Sequence, residues 1–358
     1  APIQVVCGAP NAHTGMKGVF ARPGTVIPAS GEVLKVGTIR GVESRGMLCS
    51  ERELLLSDEH NGIIELPADA KIGAPAASAL GPNDPVIDIA ITPNRGDATS
   101  AFGVARDLAA SGMGTLKDGR VEIIEGKFKS PKTVALNFTP ETANACPIFA
   151  GRMIRNVKNG PSPKWVQEKL KAVGLRPISA LVDVTNLIAH DRGRPLHVFD
   201  ADKLTGNLQA RLAKDGETIK TLDGKSYTLD STMTVIADER GAHGIAGVMG
   251  GEETGCTETT TNVFVESAWF DPLRTAATGR KLGIVSDARY RFERGVDPDF
   301  VLPGLELATK LILEFCGGEP SDIVVAGSAP DLAKTIAFVP DAVKRLGGLD
   351  VPRAEIAT

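Results

Sequence analysis

The stretch GIAGVMGGEETGCTETTTNVFVESAWF, residues 244–270, constrains the fold of this chain more than any other. Its first eight residues contain four glycines, and no helical pattern of apolar residues follows them. Glycine spacing of this kind is typical of β-turns and bulges between strands. It also suits a pocket wall at which a ligand touches the backbone, because glycine has no side chain to keep the ligand away. The sequence therefore predicts either a turn cluster or a binding wall.

A single carboxylate, Glu266, lies in the apolar run NVFVESAWF that follows the glycines. Burial of a charged carboxylate without hydrogen-bonding partners is costly. Either the run is an edge strand and Glu266 points to water, or Glu266 lies in a pocket and accepts a hydrogen bond from a substrate. The pattern of the run is compatible with both interpretations.

The segment LVDVTNLIAHDRGRPLHVFD, residues 181–200, contains further side chains that can take part in chemistry. Apolar residues flank its His197, which fits a buried core histidine as well as a catalytic one. No spacing of histidines and carboxylates resembles a metal site such as HExxH, so no metal is predicted. The glycine-rich stretch matches neither a phosphate-binding loop nor a dinucleotide fingerprint, and the nucleophile elbow G-x-S-x-G is absent.

The size and composition of the chain indicate a globular protein of several domains. A length of 358 residues is too great for one average domain, so we expect two or three. No run of 18 apolar residues predicts a membrane span. The five cysteines are scattered without a Cys-x-x-Cys pair, which favours a reducing cytoplasm. The start, APIQVVCGAP, is not a signal peptide, and we interpret the chain as a fragment of a longer one.

Local signals indicate which elements to expect. The alternating run VIDIAIT, residues 86–92, predicts a strand. Helices are expected to start with a cap at Ser50, to run from Asp97 to Gly112, and to end at Gly317. Asp223-Gly224 between β-type residues predicts a hairpin.

These signals predict an α+β multidomain fold, with a β-rich N-terminal barrel or sandwich and a mixed α/β region after it. The boundaries that we expect are a first domain over 1–75, a small and incomplete α/β connecting domain over 76–128, a large mixed domain over 129–325, and the start of a further, truncated domain over 326–358.

Two clusters of positive charge stand out in a chain whose net charge is −4. Residues 151–176 contain seven basic residues and one acidic residue, and residues 280–294 contain five basic and two acidic residues. Such clusters are usually solvated helix faces. They also suit contacts with a phosphate backbone, so the sequence leaves both interpretations open.

Several long motifs resemble one family. QVVCGAPNAHTGMKGVFARPGTVIP and IRGVESRGMLCSERELLLSDEHNGIIELP are similar to the tRNA-binding, oligonucleotide-binding-fold insert of the beta subunit of bacterial phenylalanyl-tRNA synthetases. ITPNRGDATSAFGVARDLAA resembles the segment that follows that insert. DVTNLIAHDRGRPLHVFD, GIAGVMGGEETG and VFVESAWFDPLRTAATGRKLGIVSDARYRFERGVDP resemble its editing domain. The resemblance covers essentially the whole chain, in order.

The resemblance implies a cytoplasmic enzyme of protein biosynthesis, a phenylalanine–tRNA ligase. In that family two alpha and two beta subunits form a heterotetramer, and the alpha subunit uses ATP and Mg²⁺ to charge tRNA(Phe) with L-phenylalanine. The beta subunit binds the tRNA and hydrolyses the ester of mischarged L-tyrosine. We expect this chain to do the same, to bind no cofactor itself and not to aminoacylate alone. The alternative is a tRNA-binding structural module without hydrolytic activity.

The resemblance also implies roles for individual residues. Glu266 matches the acceptor for the tyrosine hydroxyl, Gly250 a glycine of the pocket wall, and Ala288 a small residue that keeps the pocket open. Ser286, also assigned to substrate binding, keeps the hydroxyl of the threonine in other members but lacks its methyl group. Hydrolysis by a positioned water, without a metal or a covalent nucleophile, is implied at the ester end, which is assigned to His197, Asn186 and Thr185. For tRNA binding we predict Arg40, Arg45, Arg152, Arg155 and Lys158.

Overall fold

The computed structural model describes residues 2–56, 59–80, 86–333 and 335–357, and this part of the chain has an α+β fold. The predicted fold class is therefore confirmed. The described residues form a β-rich N-terminal region, one connecting helix, a central region with two five-stranded sheets, and two short C-terminal helices. Among them, no helix is both long enough and apolar enough to cross a membrane.

The strands of the N-terminal region are short and pair only two at a time. Three antiparallel ladders join β1 to β6, β2 to β5 and β3 to β4. The barrel within this region therefore stays a prediction. The six strands are β1 (Lys17–Gly18), β2 (Phe20–Ala21), β3 (Gly37–Ile39), β4 (Val42–Ser44), β5 (Met47–Leu48) and β6 (Glu65–Leu66).

The helix predicted at Ser50 is wrong, although its cap forms. The Ser50 backbone N–H donates to Glu53 Oε2 at 2.6 Å, and the Glu53 N–H donates to Ser50 Oγ at 3.4 Å, as in a capping box. Residues 51–55 nevertheless form turns. Leu55 adopts a left-handed conformation with φ of 58°, which a right-handed helix cannot contain.

The connecting segment also differs from the prediction. Residues 86–92 form no strand, and Ile87 is 76% exposed. A strand needs a partner for its backbone groups, and no described strand pairs with this run. Helix α1 (Ala101–Ala110) begins later than expected, because Ser100 and not Asp97 is its N-cap: the Ser100 hydroxyl accepts from the Gly103 N–H at 3.0 Å.

The central region contains most of the regular structure, and its two sheets lie against each other. One sheet has the strand order β15-β14-β13-β10-β7, and the other has the order β17-β8-β16-β9 with β18 also paired to β8. In chain order the elements are β7 (Val134–Asn137), β8 (Ile148–Arg155), α2 (Lys164–Ala172), α3 (Ala180–Arg192), β9 (His197–Asp200), β10 (Leu208–Leu212), β11 (Thr218–Lys220), β12 (Ser226–Thr228), β13 (Thr234–Ala237), β14 (Ala242–Ile245), β15 (Met249–Gly250), β16 (Asn262–Trp269), α4 (Pro272–Leu282), α5 (Asp287–Phe292), α6 (Val301–Cys316), β17 (Glu319–Pro320) and β18 (Val324–Gly327).

Two local predictions are confirmed in this region. Asp223 and Gly224 connect β11 to β12, and Gly224 has the positive φ of 76° that a tight hairpin turn requires. Helix α6 ends at Cys316 and is followed by Gly317, whose φ is 69°. Helices α7 (Asp341–Gly347) and α8 (Arg353–Ala357) follow the central region.

The register of β16 decides which side chains face the space between the sheets. Glu266 lies directly opposite Gly151 of β8 and His197 of β9, so these three residues share one face. Ser267 faces the other way, because its hydroxyl donates to the Val301 carbonyl of α6 at 2.8 Å. Helix α6 therefore covers one face of the sheet, and Glu266 and His197 lie on the opposite face.

Candidate functional site

A small pocket of about 70 Å³ lies between the two sheets. Strands β9 and β16 supply one wall, and the glycine-rich segment with helix α5 supplies another. Most of its lining is apolar, as is common in sites for small ligands. The lining residues that matter for its chemistry are His197, Phe199, Gly250, Glu266, Ala288 and Phe292.

Glu266 is buried in the middle of a sheet and not on an edge strand. Strand β16 pairs on both sides, with β8 and β9, and Glu266 is 7% exposed. No described residue forms a hydrogen bond or an ion pair with its carboxyl group. Burial raises the pKa of Glu266 to about 8, so the carboxyl group keeps its proton at neutral pH. The interpretation of Glu266 as a solvent-facing residue is excluded.

His197 faces the same pocket from the neighbouring strand. Its ring packs edge-on against Phe199, with 4.4 Å between ring centroids. Its Nε2 is buried without a hydrogen-bond partner among the described residues. Burial lowers the pKa of His197 to about 4, so the imidazole is neutral at physiological pH. Buried polar atoms normally have partners, so the unpaired Nε2 beside the carboxyl group of Glu266 makes the pocket suitable for a polar ligand.

Gly250 makes room for the imidazole of His197. A Cβ atom at Gly250 would lie 2.3 Å from His197 Cε1, which is closer than any real contact of this kind. The glycines also form the turn between β14 and β15, in which Gly247 has a φ of 70°. The predicted turn cluster is therefore confirmed, and the segment also lines the pocket, but contact of a ligand with its backbone stays a prediction. The group that closely approaches Gly250 belongs to the protein itself.

Helix α5 contributes the lining residues Ala288 and Phe292, and a further residue acts at its start. Ala288 lines the pocket. Ser286 does not, because its hydroxyl caps the helix: it accepts from the Arg289 N–H at 3.1 Å and donates to the Val248 carbonyl at 2.6 Å. Ser286 thus ties α5 to the glycine-rich turn, and its predicted contact with a substrate stays a prediction.

Thr185 and Asn186 lie on helix α3 and are not among the residues that line the pocket. The Thr185 hydroxyl donates to the Val182 carbonyl of its own helix at 2.7 Å. Both residues are half-buried. The structure therefore does not bring them together with His197 and Glu266, and their catalytic role also stays a prediction.

The predicted tRNA contacts have different environments, and the prediction does not hold for Arg152. Its guanidinium group is buried, with only 2% of the side chain exposed, and it donates to Glu306 Oε2 at 2.7 Å. It also donates to the carbonyls of Ser321 and Ile124, so the buried group is held inside the protein and is not accessible to a phosphate. The remaining residues are exposed: Arg40 at the tip of the β3–β4 hairpin, Arg45 paired with Glu43, Arg155 paired with Glu319, and Lys158.

Two aromatic residues of the pocket were missed at the sequence level. Phe199 lies two residues after His197 on a strand, so the alternation of side chains already placed both on one face. Phe292 lies four residues after Ala288 on helix α5, a spacing that also puts two side chains on one face. Both spacings can be recognised in the sequence, but only after the strand and the helix have been assigned.

Comparisons with known proteins give consistent matches along the chain. The family described as "Putative tRNA binding domain" matches residues 1–75, and the B3/4 domain family matches residues 145–317. The phenylalanine–tRNA ligase beta subunit of Mesorhizobium japonicum is 60% identical over 99% of this chain and 44% of the relative. The corresponding subunit of Paramagnetospirillum magneticum is 58% identical over the same shares.

The chain spans less than half the length of these curated relatives. A solved N-terminal fragment of the phenylalanyl-tRNA synthetase beta subunit from Pyrococcus horikoshii is 18% identical, with a TM-score of 0.39, and the match covers 74% of this chain and 72% of that one. A structural likeness this weak carries no argument.

Proposed function

Because the chain belongs to the family of phenylalanine–tRNA ligase beta subunits, we propose that it binds tRNA(Phe) and hydrolyses mischarged Tyr-tRNA(Phe). The site of hydrolysis is the pocket between its two sheets. The observation that carries this proposal is the burial of Glu266 without a partner, opposite His197, in a pocket that is otherwise mainly apolar. Such a site selects for a ligand that brings its own polar group.

The physical reason for an editing pocket is an asymmetry in molecular recognition. An apolar site built for phenylalanine rejects tyrosine only about 10²-fold, because the added hydroxyl costs little. A site that contains a polar group for this hydroxyl rejects phenylalanine by about 10⁴-fold or more, since the polar group stays unpaired. A protonated Glu266 can accept a hydrogen bond from the tyrosine hydroxyl through its carbonyl oxygen and can donate one through its O–H.

Entry of a tyrosyl side chain requires the pocket to widen. Its volume of about 70 Å³ is roughly half that of the ~150 Å³ cavity that holds benzene in another protein. We expect the wall formed by the glycine-rich turn and helix α5, which the hydrogen bond from Ser286 to Val248 joins, to move away from strands β9 and β16. The small volume also favours the alternative function, a tRNA-binding module without hydrolytic activity.

At the ester end we propose that His197 orients water or the ester carbonyl. With a pKa of about 4, the imidazole is a weak base at neutral pH, so positioning accounts for its role better than proton abstraction. Asn186 and Thr185 are proposed to contact the same end of the substrate. Because the Thr185 hydroxyl already donates to Val182, it can only accept a further hydrogen bond.

For tRNA we retain four exposed residues as proposed contacts: Arg40, Arg45, Arg155 and Lys158. The described residues contain no cluster of three or more His, Cys, Asp or Glu side chains that could hold a metal ion. From the relation to phenylalanine–tRNA ligase beta subunits, we propose that an alpha subunit uses the ATP and Mg²⁺ of aminoacylation, in a cytoplasmic α2β2 assembly. We also propose the domain boundaries 1–75, 76–128, 129–325 and 326–358.

The test is hydrolysis of Tyr-tRNA(Phe) and Phe-tRNA(Phe) by the wild-type protein and by Glu266→Ala and Glu266→Gln. We expect the wild type to hydrolyse the tyrosyl ester selectively, Glu266→Ala to lose this selectivity, and Glu266→Gln to retain part of it, because an amide still accepts a hydrogen bond. Unchanged selectivity in Glu266→Ala would contradict the role of Glu266. Absence of hydrolysis by the wild type in its native assembly would support the structural module instead.

A further inference from the structure

The two basic clusters of the sequence differ in whether their charges are free to meet a partner. In the cluster on α4 and α5, four of the five cations lie beside a carboxylate, and two of them, Arg289 and Arg294, share Glu293. The pairs are Lys281 with Asp230 at 2.6 Å, Arg289 with Glu293 at 2.9 Å, Arg291 with Asp287 at 3.1 Å, and Arg294 with Glu293 at 3.2 Å. Most cations of this cluster are therefore already engaged by carboxylates of the protein itself.

The cluster on α2 is different, because its lysines remain available. Lys169 and Lys171 are exposed, and no described residue forms an ion pair or a hydrogen bond with either ammonium group. Lys164 has a single carboxylate partner, Glu168 at 3.6 Å, and 90% of its side chain is exposed. A surface pair of this kind contributes little and exchanges readily for a phosphate.

A partly exposed tryptophan lies among these lysines. Trp165 is 44% exposed, and its ring packs edge-on against Phe315 with 6.0 Å between centroids. Lys169 is four residues further along the helix, so the two side chains are neighbours on one face. Val166 and Leu170 are buried and hold α2 against the protein, which leaves Trp165 and the lysines directed outward. Free cations beside an aromatic ring are the usual composition of a surface for single-stranded nucleic acid.

We propose that the exposed face of α2, formed by Lys164, Trp165, Lys169 and Lys171, is a further contact site for tRNA. The lysines bind phosphates, and an unpaired base stacks on Trp165. This proposal rests on the proposed function, because it assumes that the chain binds tRNA. Within the 151–176 cluster it adds α2 to the proposed contacts Arg155 and Lys158, whereas Arg152 is buried.

The first experiment measures the affinity of the full chain for tRNA as a function of salt. The double substitution Lys169→Glu/Lys171→Glu is compared with Arg280→Glu/Lys281→Glu on α4, which changes the net charge by the same amount. We expect the α2 variant to reduce the slope of log affinity against log salt by about 1.4 to 1.8, which corresponds to two lost phosphate contacts. The α4 variant should keep a slope close to that of the wild type. Equal effects of the two variants, or an unchanged slope for the α2 variant, would overturn the proposal.

The second experiment uses fluorescence, because the chain contains two tryptophans and the other, Trp269, is 6% exposed. Binding of tRNA should quench the emission of Trp165, and Trp165→Phe should abolish the quenching but retain most of the affinity. Trp165→Ala should weaken binding about tenfold, with an unchanged circular dichroism spectrum. If the wild type binds tRNA without quenching, this proposal fails and tRNA binding stands. If the wild type does not bind tRNA, the proposed function fails as well.

Discussion

The N-terminal region, residues 2–56 and 59–80, and the central region, residues 129–327, both contain many strands but pack them differently. In the N-terminal region the strands pair two at a time, around a small buried cluster of Val19, Ala21, Ile27 and Cys49. In the central region two five-stranded sheets and helix α6 share one core that extends from Cys146 to Cys316. The central region therefore fixes its side chains far more tightly.

The spaces that the two regions enclose differ accordingly. Open clefts of about 520, 830 and 970 Å³ border the N-terminal region, whereas the pocket between the central sheets has about 70 Å³. Wide clefts suit a polymer that lies along a surface, and a small pocket suits a single side chain. Binding a large ligand along a surface and recognising one of its side chains in a pocket thus place opposite demands on packing. Substitutions in the central region should therefore change stability more than substitutions on the surface of the N-terminal region.

The largest effect is expected from Arg152→Ala in the central region. The substitution leaves Glu306 as a buried carboxylate without its partner, so we expect the free energy of unfolding to fall by about 3–5 kcal/mol. Urea unfolding, followed separately in each region, measures this change. The double variant Arg152→Met/Glu306→Leu should recover most of the stability. Equal destabilisation of the N-terminal region would show that the two regions unfold as one unit.

A smaller loss is expected from Gly250→Ala. The new methyl group would displace the imidazole of His197, so we expect a loss of about 1–3 kcal/mol in the free energy of unfolding, together with loss of ester hydrolysis. The matched control is Gly160→Ala, because a Cβ atom at Gly160 meets no other atom within 4 Å. Calorimetry and the deacylation assay distinguish the two variants. Full ester hydrolysis by the Gly250→Ala protein would contradict a role of His197 in the reaction.

A dependence of stability on pH is also expected, and it accumulates over the range between about pH 4.5 and 8. Burial raises the pKa of Glu266 to about 8, above its ordinary value of 4.5, so the folded state holds a proton that the unfolded state has lost. The stabilisation is complete below about pH 4.5 and is lost as the pH rises to 8, with a slope of roughly 1.4 kcal/mol per pH unit between these values. Glu266→Gln should remove this slope from the unfolding transition of the central region. Identical slopes for the two proteins between pH 5 and 8 would contradict the burial of a titrating carboxyl group.

The smallest change in stability is expected in the N-terminal region, from Arg45→Gln. Arg45 pairs with Glu43 on the surface at 2.6 Å, and exposed pairs contribute only about 0.2–1 kcal/mol. The affinity for tRNA should nevertheless fall. The slope of log affinity against log salt should decrease by the amount that corresponds to about one lost phosphate contact. Titrations of tRNA at several salt concentrations measure this effect. A large change in stability without a change in affinity would make Arg45 a structural residue.

Sequence patterns predicted those features that depend on neighbouring residues. The hairpin at Asp223-Gly224 and the end of α6 at Gly317 follow from local backbone preferences, and the structure confirms both. The strand that carries Glu266 was also expected. Its burial was left open, because this depends on strands β8 and β9 pairing on both sides.

Features that depend on distant partners could not be predicted. Arg152 was counted among surface cations because its partner Glu306 is 154 positions away along the chain. The run at residues 86–92 has a strand pattern, but no described strand pairs with it. The closeness of Gly250 to His197 depends on how the two sheets meet, and this follows from no single stretch of sequence.

This closeness has a consequence for how the pocket can change over evolutionary time. A side chain at position 250 would need the space that the ring of His197 already fills. Neither residue can be exchanged for a larger one independently of the other. A variant that acquires a side chain at position 250 must first have a smaller residue at position 197. The sequence that lies between the two forms of the pocket would therefore lack the imidazole. A side chain at position 250 is therefore expected only together with a smaller residue at position 197.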